Sequence, residues 1–268
     1  MNQDVPLSDN PWIHSANVHL VTDMTATLEE TMPTKLDAPS VKRSLRRLRN
    51  DEKAAFFPSF FKNGPGEYGE GDEFLGVVVP DQRRVAKRYR DLPLVEIQQL
   101  LTDPIHECRL TAVFILVLQF ERADESGKQA VVDFYLQNLD RINNWDLVDS
   151  SAPKILGQWI LNHPRKVLQE LADSDHLWRQ RIAILACFPL IRNGEFREIK
   201  RLTKQFLVHD HDLIHKAVGW MLREMGKRDA QALTKFLDRH CKKMPRTMLR
   251  YAIEKLPSDV RQHYLAVK

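Results

Sequence analysis

From Pro80 to its end the chain repeats one motif of patterning. Apolar residues fall at i, i+3, i+4 and i+7 over stretches of about 9–18 residues, the spacing that lays a single apolar stripe along an α-helix. VVVPDQRRVAKRY opens the series, and LVEIQQLL, HECRLTAVFILVLQF and QAVVDFYLQNL follow. A segment around Trp145 comes next, then HPRKVLQELA, LWRQRIAILACFPLI, REIKRLTKQFLV and DLIHKAVGWMLREM. AQALTKFLDRHC, RTMLRYAIEKL and VRQHYLAV complete it. Polar breaks such as TDP, NHP, RNGE, GKRD and PSD separate the segments, and no strand-like alternation competes. This rhythm predicts an all-α stack of helix pairs of the HEAT or ARM solenoid type, although the segments are not alike in sequence.

The first part of the chain reads differently. Residues 1–39 hold four prolines and no sustained period, which predicts a disordered tail ahead of one helical domain at 40–268. VKRSLRRLRNDEKAAFFPSFF (41–61) then opens a helical pattern, with Ser40 as N-cap and Pro58 ending or bending it. The loop NGPGEYGEGDEFLG (63–76) carries half of the ten glycines, which suit positive-φ turns and close backbone approach.

Charge sharpens this picture. The tail has one base, Lys35, against six acids, so the remaining 229 residues hold 39 bases and 30 acids. A net +9 body suits an anionic partner, nucleic acid above all, or simply a well-solvated helical surface. No apolar run is long enough to span a membrane, and no signal peptide opens the chain. Three separated cysteines, Cys108, Cys187 and Cys241, give neither a disulfide scaffold nor a CxxC site, and fit a reducing cytoplasm.

Several clusters could carry chemistry. GPGEYG (64–69) has the GxGxxG spacing, yet no strand precedes it, and Glu67, Glu70 and Asp72 would repel a pyrophosphate; a structural turn is the reading. His209, His211 and His215 include an i, i+4 pair that could face a metal, but the glutamate of HExxH is missing, and Asp210 or Asp212 suits a helix cap. No metal and no cofactor is expected. In NNWDLVDSSAPKILG (143–157), Asn144 suits an N-cap and Trp145 shares a helix face with Asp149, while Pro153 forces a bend or nonstandard turn. Trp145 could equally be core and Asp149 a cap. Arg179 and Arg181 cannot both be buried without partners, so one would face a cleft or a phosphate. Lys216, Trp220, Arg223 and Glu224 share one helical patch, and Gly219 permits close approach beside Trp220. Three helix pairs each setting a tryptophan beside a charge would line one concave face.

Taken in order, FFKNGPGEYGEGDEFLGVVVP, INNWDLVDSSA, LWRQRIAIL, HKAVGWMLRE and MPRTMLRYAIE resemble the AlkD family of bacterial DNA alkylation repair glycosylases, over residues 53 to 266. The resemblance implies a right-handed superhelical stack of antiparallel helix pairs with a concave basic cleft. It implies hydrolysis of the N-glycosidic bond of cationic N3- and N7-alkylpurines in duplex DNA, without flipping the base into a pocket. It places the family's cleft aspartate on Asp149, its tryptophans on Trp145 and Trp220, its backbone-reaching arginine on Arg181 and a further basic position on Arg223. Lys216 and Arg179 are added here as DNA contacts. The expected partner is double-stranded DNA with alkylated purines, and the protein a bacterial cytoplasmic monomer held near the nucleoid by DNA. Two alternatives remain: a HEAT-like protein that binds damaged or distorted DNA without excision, and a protein–protein scaffold.

Overall fold

A computed structural model describes residues 35–267. Among them are sixteen α-helices and, beyond short 3₁₀ turns, only an isolated parallel bridge between Glu73 and Ile105. The helices are α1 (Ala38–Arg46), α2 (Asp51–Phe60), α3 (Val79–Arg88), α4 (Leu94–Leu101), α5 (His106–Arg122), α6 (Glu125–Gln137), α7 (Trp145–Ser151) and α8 (Leu156–Trp159). After these come α9 (Lys166–Ala172), α10 (Leu177–Leu185), α11 (Phe188–Arg192), α12 (Arg197–Gln205), α13 (Asp212–Arg228), α14 (Ala230–His240), α15 (Arg246–Ile253) and α16 (Ser258–Ala266).

A central file of helices carries the core: α5 packs on α7, α7 on α10, α10 on α13 and α13 on α15. Helix α5 is apolar on nearly every face, as an enclosed helix must be, and buries Leu110, Val113, Phe114, Ile115 and Leu116. Each such side chain contributes roughly 1.5–3 kcal/mol by leaving water. A close helix contact centres on Gly219 of α13, where a Cβ would lie 2.5 Å from the Tyr251 Cβ and 2.6 Å from the Met248 carbonyl of α15. The expected close approach is therefore present, made against α15.

The expectations for the N-terminal part need correction. Residues 1–34 lie outside the described residues, but Ala38 and Pro39, counted in the tail, already open α1. Its cap is Asp37 rather than Ser40: the Asp37 carboxylate accepts from the Ser40 N–H at 2.8 Å, and proline suits the first turn because it lacks an N–H that would go unused there. The 41–61 segment breaks between Arg46 and Asp51, with Asn50 capping α2 through a 2.9 Å bond from the Lys53 N–H. Pro58 sits inside α2 and does not end it.

Candidate functional site

The site grows from α7. Asn144 adopts extended backbone and its side chain accepts from the Trp145 N–H at 2.8 Å, as an N-cap residue. One turn on, Asp149 shares the face of Trp145. After Ser151 the helix yields to Pro153, and the Gly157 N–H reaches back five residues to the Ala152 carbonyl at 2.8 Å, the nonstandard turn the sequence predicts.

Arg181 of α10 meets Asp149 with a two-pronged ion pair, Nε to Oδ1 at 2.9 Å and Nη2 to Oδ2 at 2.8 Å. Its Nη1 donates to the Leu213 carbonyl at 2.6 Å. The side chains are 0% and 3% exposed, so this is a fully desolvated pair. Burial pushes the Asp149 carboxyl above the usual carboxylate range; Arg181 opposes that push and the Asp146 charge adds to it.

Asp149 borders two cavities. One of about 470 Å³ lies between α2, α3, α5 and α7, walled by Phe56, Phe60, Phe61 and Trp145. The other, about 650 Å³, runs past Trp159, Phe188, Arg192 and Trp220. Asp149 and Lys154 line both and so mark their junction. Trp145 therefore stands on one side of the carboxylate and Trp220 on the other.

The glycine-rich loop is built into this arrangement. His106, at the start of α5, places Nδ1 2.9 Å from Asp72 of the loop and Nε2 2.7 Å from Asp146 of α7. Arg109 closes on Asp72 at 2.6 Å. Burial alone would lower the His106 pKa, but the Asp146 charge and the bonds to both carboxylates raise it to about 9. Burial raises the Asp72 pKa less than its bonds to His106 and Arg109 lower it, leaving it below the usual range. The neighbouring Glu107 carboxylate, itself buried, accepts from the N–H groups of Leu75, Gly76 and Val77 at 2.8–3.2 Å. Phe61 stacks on Trp145 with centroids 5.4 Å apart and packs on His106 at 4.6 Å. Tyr68 meets Trp178 edge-on at 5.5 Å. Burial, then the Asp146 charge, pushes the Tyr68 phenol up to about 12. The loop is thus a structural brace for α7.

The residues nominated from sequence separate into two groups. Trp145, Asp149 and Trp220 border the cavities, whereas Arg181, Arg223, Lys216 and Arg179 border neither. Arg181 is enclosed, and each of its three nitrogens donates to Asp149 or to the Leu213 carbonyl. Arg223 is 2% exposed and pairs with Glu254. Lys216 pairs with Asp212 at 2.8 Å, and the half-exposed Arg179 with Asp140 at 2.8 Å. Both members of the Arg179–Arg181 couple have a carboxylate partner, and only Arg181 is buried, its charge met by Asp149 as a buried guanidinium requires. Trp178 is core, against the loop, and lines neither cavity.

The histidine trio is engaged within the fold. His211 caps α13 through Nδ1, in place of either aspartate, and His209 Nε2 lies 2.9 Å from Gln180. His215 Nε2 contacts the His209 carbonyl. Among the described residues no three His, Cys, Asp or Glu gather as a metal would need. No described helix is long and apolar enough to cross a membrane.

Sequence reasoning passed over His106, Asp72, Asp146 and Glu107. A signal was present: HECR opens an otherwise apolar helix, and charges there require buried partners.

A family model described as DNA alkylation repair enzyme matches residues 41–256. A solved structure from Enterococcus faecalis, described as a predicted DNA alkylation repair enzyme, superposes with a TM-score of 0.63 at 19% identity, covering 78% of this chain and 97% of that one. At that identity the likeness speaks for the fold alone. No curated protein matches the sequence.

Proposed function

This chain belongs to the DNA alkylation repair enzyme family, and on that footing we propose that it is a monofunctional DNA glycosylase releasing N3- and N7-alkylated purines from duplex DNA. The observation that carries the reading is the position of Asp149, pinned by Arg181 where two cavities meet, with Trp145 to one side and Trp220 to the other. The helical stack serves as a solenoid whose basic cleft receives the duplex.

Alkylation at N3 or N7 gives the purine a formal positive charge, so the base leaves without strong acid assistance. The charge that then needs stabilising develops on the sugar as the C1′–N bond stretches. A fixed carboxylate beside C1′ attracts that oxocarbenium-like centre more strongly than it attracts the ground state. Asp149 takes this role and orients the attacking water, which adds to C1′ and releases a proton to solvent while the departing base keeps the bonding electron pair. Arg181 acts through Asp149, fixing the plane of the carboxylate. The indole faces of Trp145 and Trp220 hold the cationic nucleotide, each contributing about 0.5–2 kcal/mol. The lesion is held from its backbone side, and no flipping of the base into a pocket is required.

One observation favours a second reading, a protein that binds damaged DNA without excision: the Asp149 side chain is 3% exposed and both its oxygens are occupied. Release of 7-methylguanine and 3-methyladenine from methylated duplex separates the two. Release by the wild type supports the glycosylase; salt-dependent binding without release moves the protein to the binder.

A further inference from the structure

Once Arg181 and Arg223 are spent on internal carboxylates, the DNA backbone needs other cations near Asp149. Two exposed cations share the first cavity with Asp149. Arg83 of α3 lines the first cavity, and Lys154, in the turn after α7, lines both. The side chain of the one and the backbone of the other are held in place. The Arg83 guanidinium lies over the Phe114 ring at 4.0 Å from its centroid, a cation–π contact that restricts its arm. Lys154 follows Pro153 in a turn fixed by bonds from its own N–H to the Ser151 carbonyl at 2.9 Å and from Gly157 to Ala152 at 2.8 Å. Gly157 in turn lies so near the junction of α10 and α11 that a Cβ would sit 2.8 Å from the Ala186 carbonyl and 2.9 Å from Pro189 Cδ.

Neither cation closes an ion pair with a carboxylate among the described residues. Glu121 is the acid whose charge reaches both. They also feel each other: the cleft walls first, then the Arg83 charge, hold the Lys154 ammonium below its ordinary pKa. Two like charges lining one cavity raise the free energy of the empty protein, and an anion bound by both removes that repulsion. The anion available beside a sugar at Asp149 is its phosphodiester.

We propose that Arg83 and Lys154 form a clamp on one DNA phosphodiester at the junction of the two cavities, holding the lesion nucleotide in register with Asp149. This rests on the DNA reading above and adds the backbone contact that reading lacks. Phosphate contacts of this kind position the duplex and carry no base identity.

The test is binding and excision on methylated duplex by the full chain, comparing wild type, Arg83→Gln, Lys154→Gln and the double variant. Lys166→Gln, a highly exposed surface lysine paired with Glu170 at 3.0 Å, controls for the loss of one charge. The clamp predicts roughly tenfold weaker binding for each single variant. It predicts a salt slope shallower by about 0.9 for the double variant, the loss of one phosphate. Folding should be intact, since both side chains are exposed. Slopes of the double variant and Lys166→Gln equal to that of the wild type would overturn the clamp. Absence of base release by the wild type would instead defeat the glycosylase reading, and the salt slopes would still decide the clamp.

Discussion

Arg181 encloses Asp149 with two hydrogen bonds of 2.9 and 2.8 Å while its third nitrogen rests on the Leu213 carbonyl, so α10 and α13 together set the orientation of one carboxylate on α7. Removing the cation leaves a buried anion alone. Arg181→Met should cost about 3–5 kcal/mol in urea unfolding. The Asp149→Asn/Arg181→Met double variant should recover much of it, as coupled partners do. The single variant should also gain stability as pH falls, because protonating Asp149 removes the stranded charge. Additive losses in the double variant would mean the pair is not coupled.

The ionised form of Asp149 is the form that stabilises a cationic sugar. Burial raises its pKa, so excision should fall as pH falls through a midpoint above the ordinary aspartate value of about 3.9. Single-turnover base release across the acid range measures that limb. A rate flat down to the ordinary carboxylate range would remove Asp149 ionisation from the rate-determining step.

His106 ties loop and helix together as an imidazolium between Asp72 and Asp146. Its folded pKa of about 9 exceeds the unfolded value of about 6.5, so its contribution is full below 6.5 and disappears as pH rises through 9. The shift corresponds to about 3 kcal/mol. Urea midpoints of wild type and His106→Gln should therefore differ at neutral pH and converge in the alkaline range. A difference that persists at high pH would contradict a charged His106.

Gly76 closes the glycine-rich loop at φ +78°, where an added Cβ would stand 2.1 Å from the Asn50 carbonyl at the start of α2. Left-handed backbone and overpacking together predict a loss of about 2–4 kcal/mol for Gly76→Ala. Gly66 has a similar φ but nothing within 4 Å, so Gly66→Ala should cost about 1–2 kcal/mol, the backbone share alone. Equal losses at the two positions would show that the approach to Asn50 does not matter.

The helical architecture, and Trp145 and Asp149 on one helix face, were legible because period and spacing are local properties of a sequence. Asn144 as a cap and Pro153 as the source of a nonstandard turn follow from single-residue chemistry in the same way. The fate of each arginine was not legible. Arg181 and Arg223 sit on patterned helices like any surface base, and only the fold shows which of them meets a buried carboxylate. The Asp72–His106–Asp146 brace joins residues 34 and 40 positions apart, a spacing that leaves no periodic trace. Lys154 gave no sign of itself because its place at the cavity junction depends on the turn and on α11 behind it.

The measurement that bears most directly on the central claim is release of 7-methylguanine and 3-methyladenine from methylated duplex by wild type and Asp149→Asn, with DNA affinity measured alongside. The account predicts release by the wild type and a fall of roughly 100-fold or more in the variant, in line with loss of a preorganised electrostatic group. Affinity should change little. Equal release by both proteins, or a proportional loss of binding and excision, would contradict the role given to Asp149.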